Sequence, residues 1–284
     1  MLWLDGRLQE RTSAPFDLGD RGLLLGDGLF DTAMALRGRV AFEEEHVARL
    51  AAGAESLGFE IDRDRVVSAM RALAGAMPRA AIRTTVTRGS GPRGLKPPEH
   101  PVPFHWASAA PLGEGMAFSP VTMMVTPIRR NETSPAARVK TLGYLDAVLA
   151  TREARAQGFD EALFLNTRDR VACAATGNLF LVEEDGLSTP AIDEGALPGI
   201  VRNLIVSRLA PALGLRISET ALTKETLEDA RGVFMTNSLR LLASVPRLNN
   251  RNIPFNDDAV LVRLVAALRE AVAESCRVCV TEVA

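Results

Sequence analysis

The order in which helical and strand periodicities follow each other constrains the fold of this chain more than any other feature. Residues 43–57 place apolar side chains at helical spacing and stop at Gly58, whereas residues 81–88 are strand formers that end in a Gly-Ser-Gly-Pro turn. Further helical and strand patterns follow without the regular strand–helix–strand repeat of a doubly wound sheet. The sequence therefore predicts an α+β fold.

A proline-rich stretch divides the chain. Residues 95–111 carry five prolines around an apolar run, which predicts an edge strand that leads into a linker. We therefore expect a small N-terminal α+β domain over residues 1–112, a linker over 113–120 and a larger C-terminal domain over 121–284. Both parts are long enough to bury a core of their own.

Charge and composition argue against several function classes. The net charge of −2 provides no field that would recruit nucleic acid or an anionic membrane. No apolar run approaches the ~20 residues that span a bilayer, and the first residues lack the pattern of a signal peptide. Cys276 and Cys279 have CxxC spacing without a second pair, and the three histidines have no metal-ligand spacing. We expect a cytoplasmic protein without a metal site.

Lysine is rare in this chain. Of 33 basic residues, only Lys96, Lys140 and Lys224 are lysine, which indicates a drift towards arginine wherever either cation suffices. A retained lysine is then expected where a primary amine is required, because a guanidinium stays protonated and is not a useful nucleophile. Read alone, however, Lys140 is a solvated lysine at the start of a helix expected over residues 142–157.

A series of short motifs gives Lys140 a context. They are GDGLFDT at 26–32, HVARL at 46–50, TRGSGPRG at 87–94, KTLGYL at 140–145, GNLF at 177–180, LPGIVR at 197–202 and TNS at 236–238. In this order they resemble the motifs of the class IV aminotransferases, also called fold type IV pyridoxal-5′-phosphate (PLP) enzymes. That family includes branched-chain aminotransferases, D-amino acid aminotransferases and 4-amino-4-deoxychorismate lyases. The resemblance implies a small N-terminal α/β sandwich domain, a larger C-terminal pseudo-barrel domain that binds PLP, and a homodimer.

The resemblance also assigns the cofactor site. It implies that Lys140 holds PLP as a Schiff base and moves protons during catalysis, and that Arg49 binds the phosphate. The other residues that it places around the cofactor are Tyr144, Cys173, Asn178, Gly199, Ile200, Val201, Thr236 and Ser238. Without the resemblance, Arg49 is equally a surface arginine paired with Glu45 one turn earlier, and Tyr144 a helix residue packed on a sheet.

Cys173 departs from the family pattern. It stands five residues before Asn178, where the family has a glutamate that keeps the pyridine nitrogen of PLP protonated. A thiol is a weak hydrogen-bond partner and supplies no charge unless it ionises. Either another carboxylate replaces the glutamate in space, or the reaction tolerates a neutral pyridine ring, as an elimination does when the leaving group takes up the electrons.

The substrate site is less strongly indicated. The resemblance matches Arg93 to the arginine that binds a substrate carboxylate. Arg83 on the predicted strand, Arg240 after the TNS motif, and Phe30 are further candidate contacts. Each of these arginines is also explained as a surface or inter-subunit residue.

Within the family, residues 26–28 and 88–94 look most similar to 4-amino-4-deoxychorismate lyase, which releases pyruvate and 4-aminobenzoate. An aminotransferase for branched-chain or D-amino acids is the first alternative, and a non-catalytic PLP-binding protein is a remote one. In either enzyme the partner is a small amino substrate.

Overall fold

The computed structural model describes residues 1–10, 13–253 and 259–283, and these form two compact units. The first unit consists of Met1–Gly113, Val139–Gly143 and Val272–Val283. The second consists of Glu114–Arg138 and Tyr144–Ala271. The segment that carries Lys140 thus packs with the N-terminal part of the chain, although the expected boundaries put it in the C-terminal domain. Those boundaries stay a prediction.

A six-stranded antiparallel sheet forms the centre of the first unit, in the order β2-β1-β6-β5-β3-β4. Its strands are β1 (Leu2–Leu4), β2 (Arg7–Gln9), β3 (Gly28–Leu36), β4 (Arg39–Val40), β5 (Arg79–Thr87) and β6 (Phe104–Pro111). The prediction of an edge strand over 95–111 is wrong, since β6 lies between β1 and β5. Its prolines precede the strand or end it, so they remove no hydrogen bond from its interior.

Helices of the first unit bury one face against this sheet. They are α1 (Arg21–Leu25), α2 (Glu43–Ser56) and α3 (Arg63–Gly75). Val47 and Leu50 of α2 and Leu73 of α3 join one apolar core with side chains of the sheet such as Ile82. The Asp62 side chain accepts a hydrogen bond from Arg65 N at 2.9 Å and so caps α3.

The second unit contains two five-stranded sheets. One has the order β16-β15-β7-β8-β9, and its strands in chain order are β7 (Met123–Val125), β8 (Glu161–Leu165), β9 (Val171–Ala174), β15 (Arg247–Leu248) and β16 (Arg251–Asn252). The other has the order β12-β11-β10-β13-β14, with β10 (Asn178–Val182), β11 (Gly186–Pro190), β12 (Arg216–Thr220), β13 (Gly232–Asn237) and β14 (Leu241–Ser244). The mixture of helices with largely antiparallel sheets confirms the predicted α+β class.

Five further α-helices follow in the part of the chain that the structure describes. They are α4 (Leu145–Ala156), α5 (Ile200–Leu204), α6 (Ala210–Ala212), α7 (Lys224–Glu228) and α8 (Ala259–Cys276), and a π-helical turn, Ile205–Leu209, joins α5 to α6. The helix expected from residue 142 begins only at Leu145, so Lys140 does not lie at a helix N-terminus. In the described parts of the chain, none of the helices has the length and apolar character needed to cross a membrane.

Candidate active site

Lys140 is held on the edge of β3. Its carbonyl oxygen accepts a hydrogen bond from Phe30 N at 3.0 Å, and Leu142 N donates to Gly28 O at 3.0 Å. Gly28 permits this approach, since a Cβ there would lie 2.6 Å from Val86 O and 2.9 Å from Leu142 Cδ1. The lysine backbone is therefore fixed by a strand instead of a helix, and its side chain is half-buried.

Two cationic side chains lie near the ring of Phe30, a residue of β3. Lys140 Nζ is 4.3 Å from the ring centroid, and the guanidinium carbon of Arg83 is 3.6 Å from it. Phe30 is buried, whereas Arg83 is exposed on β5. Both cations are within the range in which an aromatic ring attracts a positive charge. The structure thus brings the predicted Schiff-base lysine together with two of the predicted substrate contacts, Phe30 and Arg83.

Arg49 projects from α2 onto a carboxylate of β3. Its Nε and Nη2 donate to the two oxygens of Asp31 at 2.8 and 2.9 Å, and His46 Nδ1 lies 2.6 Å from Asp31 Oδ1. Burial alone would raise the pKa of Asp31, but the charges and hydrogen bonds of His46 and Arg49 outweigh it and hold that pKa well below its usual range. Glu45 is exposed and does not pair with Arg49. Among the described residues, Arg49 Nη1 has no hydrogen-bond partner.

The arginines that follow β5 differ in their surroundings. Arg88 is buried, bonds Asp27 Oδ2 at 2.8 Å and the carbonyl oxygen of Leu57 at 2.6 Å, and is a structural residue. Arg93 lies exposed in the loop after β5. No contact in the first unit brings Arg93 to Lys140 among the residues described, so its predicted role rests on the motif alone.

A group of hydrogen-bond donors lies where β10, β13 and α5 meet. Asn178 pairs with Thr236 across the two strands, and its Nδ2 donates to Leu197 O at 2.8 Å. Gly199 precedes α5, whose first turn has no side-chain cap. A Cβ on Gly199 would lie 2.1 Å from Asn178 Oδ1, so this approach requires glycine.

Unlike Asn178 Nδ2, the other donors of this group are unsatisfied among the described residues. Thr236 Oγ1 is buried and has no hydrogen-bond partner within the described part of the chain. The first amides of α5, those of Ile200 and Val201, stand at the positive end of a helix, which attracts an anion. A buried hydroxyl and free amides have the chemistry that a phosphate group needs. The residues therefore fit the phosphate of PLP.

Ser238 and Arg240 lie in the turn between β13 and β14. Asn237 Oδ1 accepts hydrogen bonds from Leu239 N at 3.0 Å and from Arg240 N at 2.7 Å, which shapes the turn. Ser238 and Arg240 are half-buried. Ser238 follows Thr236 by two residues, so along the chain it is a neighbour of the buried hydroxyl of this group.

Cys173 lies on β9 and contacts a cation. Arg130 Nη2 is 3.7 Å from its sulfur, and the Arg130 guanidinium carbon is 4.7 Å from the centroid of Phe164, the residue opposite Cys173 on β8. Arg130 Nε is buried and has no partner among the described residues. The thiol is therefore accompanied by a positive charge.

Tyr144 precedes α4 and is half-buried against the core that α4 forms with its sheet. This packing is the alternative that the sequence left open for Tyr144. Its predicted role beside the cofactor stays a prediction.

Sequence reasoning missed two polar residues of these groups, namely Asp31 and Arg130. Asp31 stands inside the GDGLFDT motif, which was the only available signal for it. Arg130 meets Cys173 through a tertiary contact, which no sequence spacing reveals.

The comparison with known families decides the identity of the fold. The family described as amino-transferase class IV matches residues 28–248. The chain belongs to the class IV aminotransferases. Members of this family use PLP, which is the cofactor that the motifs predicted, and they are aminotransferases or lyases.

Individual class IV relatives are similar over most of their length. A protein of Methanocaldococcus jannaschii with the provisional name branched-chain-amino-acid aminotransferase is 31% identical over 261 residues, which cover 89% of each chain. The structure of 4-amino-4-deoxychorismate lyase from Pseudomonas aeruginosa is similar at a TM-score of 0.85 and 28% identity, and covers 95% of this chain and 98% of its own. The structure of the branched-chain aminotransferase of Escherichia coli is similar at a TM-score of 0.87 and 25% identity. The match covers 96% of this chain and 95% of that one. The predicted fold type IV class is confirmed.

Proposed function

We propose that this class IV enzyme is a lyase that releases pyruvate from an amino-substituted cyclohexadiene such as 4-amino-4-deoxychorismate. The observation that carries the proposal is the thiol of Cys173 beside the Arg130 guanidinium, 3.7 Å away. A thiol accompanied by a cation does not hold a proton on a nearby pyridine nitrogen, as a carboxylate does. Elimination depends less on that proton, because the leaving group takes up the electron pair.

The proposed cofactor site uses residues that are unsatisfied without a ligand. In the second unit, Thr236 Oγ1 and the first amides of α5 would bind the phosphate, with Ser238 as a further donor. Arg49 is proposed as a phosphate contact on the strength of its motif. Lys140 would hold the aldehyde carbon. When bound, PLP supplies an aldehyde that condenses with amines and a ring that withdraws electrons from the neighbouring carbon.

Lys140 is the proposed proton carrier. In the proposed reaction its amine would remove the proton from the carbon that bears the substrate nitrogen. That C–H bond and the C–O bond to the enolpyruvyl group both break, the ring becomes aromatic, and the enol of pyruvate leaves. The proton passes to the methylene carbon of this enol, so the reaction needs neither oxidant nor reductant.

Arg83 is the proposed contact for a substrate carboxylate. It stands on the same phenylalanine ring as Lys140, and it is exposed, so an anion can reach its guanidinium. Arg93 and Arg240 are proposed as further anion contacts on the strength of the motifs. Phe30 would form an apolar wall for the substrate ring.

An aminotransferase for branched-chain or D-amino acids is the second candidate. It is favoured by the Methanocaldococcus jannaschii relative at 31% identity and by the Escherichia coli branched-chain enzyme. This reaction returns the proton to the cofactor carbon instead of the product, and it leaves the pyridoxamine form.

We also propose that the enzyme is a homodimer. Leu23, Leu24 and Leu25 of α1 are exposed to 57%, 62% and 46%, and three consecutive exposed leucines form an apolar surface that a second copy would cover.

Product analysis tests the proposed reaction. The wild-type protein, incubated with 4-amino-4-deoxychorismate and no keto acid, should release pyruvate and 4-aminobenzoate in equal amounts. Branched-chain and D-amino acids should leave the cofactor absorption unchanged. Formation of the pyridoxamine form from an amino acid, with no pyruvate released, would establish the aminotransferase instead. Borohydride trapping and peptide mapping should place the cofactor on Lys140.

A Cys173→Glu variant tests the observation itself. A carboxylate at this position should keep the ring nitrogen protonated and accelerate a transamination half-reaction, since one pKa unit corresponds to ~1.4 kcal/mol. Cys173→Ser is the matched control, because it brings no charge. Equal single-turnover rates and spectra in both variants, at matched PLP occupancy, would show that residue 173 is remote from the ring.

A further inference from the structure

Glu161 is a buried carboxylate that the proposed reaction does not use. It begins β8 and is 5% exposed. Both of its oxygens accept hydrogen bonds: Oε1 from Ala162 N at 3.2 Å, and Oε2 from Thr176 Oγ1 at 2.5 Å. Two hydrogen-bond donors therefore point at the buried carboxyl group of Glu161.

A chain of hydrogen bonds runs from Glu161 to the turn that carries Ser238. Thr176 donates its only hydroxyl proton to Glu161, so the hydroxyl oxygen can only accept its next hydrogen bond. It accepts one from Asn237 Nδ2 at 3.5 Å, the longest of these hydrogen bonds. The Asn237 amide is thereby oriented with Oδ1 towards Leu239 N and Arg240 N, at 3.0 and 2.7 Å. A rotated carboxamide would put its NH₂ group against these two donors.

We propose that Glu161 is a positioning residue for the turn at residues 238–240. Its ionised carboxylate orients the Thr176 hydroxyl, and through Asn237 this holds the turn in the shape that presents Ser238 beside Thr236. The inference rests on the proposed function in one respect only, namely that this turn receives the phosphate of the cofactor.

The charges around Glu161 make this arrangement sensitive to pH. Burial raises the pKa of Glu161, and the hydrogen bonds from Thr176 and Ala162 with the charges of Arg240 and Arg155 oppose the shift only in part. Neighbouring Asp160 is bonded to Thr122 and Arg155. Acidification therefore protonates Glu161 before an ordinary surface carboxylate, and the Thr176 hydroxyl then loses the acceptor that orients it. The turn is held at neutral pH and loosens as the pH falls through the raised pKa.

Amide exchange in the cofactor-free protein tests the chain of hydrogen bonds directly. Glu161→Gln presents one oxygen to two donors, so the amides of Leu239 and Arg240 should exchange about tenfold faster than in the wild type. Thr176 is exposed, so Thr176→Val should fold and show the same acceleration, whereas Thr176→Ser should restore protection. Glu184→Gln, at an exposed carboxylate, is the matched control. Unchanged exchange of both amides in Thr176→Val would overturn the inference.

Equilibrium binding of PLP separates this inference from the proposed function. In the wild type and in Glu184→Gln, the dissociation constant should rise as the pH falls from neutral to mildly acidic. Glu161→Gln should bind PLP about tenfold more weakly at neutral pH. Its dissociation constant should lack the rise that the wild type shows as the pH falls. Faster exchange without any PLP binding would leave Glu161 as a positioning residue and refute the proposed function. Normal PLP affinity in Glu161→Gln at every pH would refute its effect on the cofactor site.

Discussion

At the scale of single residues, the Asp31 carboxylate decides what Arg49 can do. Asp31 takes two of the three guanidinium nitrogens and leaves Nη1 without a partner among the described residues. A long arginine side chain otherwise samples many rotamers, so this contact reduces the entropy that a bound phosphate would have to remove. The same carboxylate bonds His46, and all three side chains depend on its charge.

Asp31→Asn should weaken both the fold and the binding of PLP. The variant keeps the shape but leaves Arg49 without its counter-charge, which we expect to lower the free energy of unfolding by about 3 kcal/mol at neutral pH. The pKa of Asp31 is depressed in the fold, so its stabilisation is present above the unfolded pKa and is lost as the pH falls. Urea unfolding at neutral and acid pH should show that the difference in free energy of unfolding between wild type and Asp31→Asn narrows in acid. Asp64→Asn, at an exposed carboxylate of α3, is the control. A difference independent of pH would contradict this account.

At the scale of elements, the start of α5 depends on one close approach. Gly199 lies against the side chain of Asn178, and Asn178 in turn bonds the carbonyl of Leu197, so strand β10 fixes the position of the helix N-terminus. The helix continues through a π-helical turn into α6, which keeps its dipole aligned beyond the five residues of α5.

Gly199→Ala should displace the start of α5. A Cβ 2.1 Å from Asn178 Oδ1 forces the amide away and breaks its bond to Leu197, because Asn178 is buried and has little room to move. We expect PLP to bind at least about tenfold more weakly, with a smaller loss of stability. Gly113→Ala, where a Cβ would meet no atom within 4 Å, is the control for both measurements. Equal affinities of the two variants would show that α5 does not contact the phosphate.

At the scale of the whole molecule, the exposed leucines of α1 predict self-association. Arg21 anchors this helix to the loop after β5 through Leu95 O at 3.1 Å, and Leu95 is itself 82% exposed. The apolar surface is thus larger than α1 alone. Removing it from water would stabilise a complex, whereas leaving it exposed favours aggregation.

A Leu23→Ser, Leu24→Ser double variant should shift a dimer towards monomer. Sedimentation velocity across a range of concentrations should show at least about a tenfold weaker association than in the wild type. Val262→Ser, at a 62% exposed position of α8, should leave the association unchanged. A wild-type protein that sediments as a monomer at all concentrations would contradict the proposed homodimer.

The sequence by itself determined the secondary-structure class, the family and the cofactor. Helical spacing predicted α2, a run of strand formers predicted β5, and ordered motifs around Lys140 predicted a PLP enzyme, because such signals are local along the chain. Two strands were hard to assign, for different reasons. β3 is buried on both faces, so its alternation disappears, and the prolines before β6 suggested an edge.

The tertiary structure alone decided which charged groups meet. Lys140 packs with the first unit and lies on β3, Arg49 binds Asp31 instead of Glu45, and Glu161 connects with Asn237 through Thr176. Such contacts join residues far apart in sequence, and their energies depend on distance, burial and orientation. A one-dimensional pattern fixes which side chains are available, whereas the packing of sheets and helices sets the distances between them.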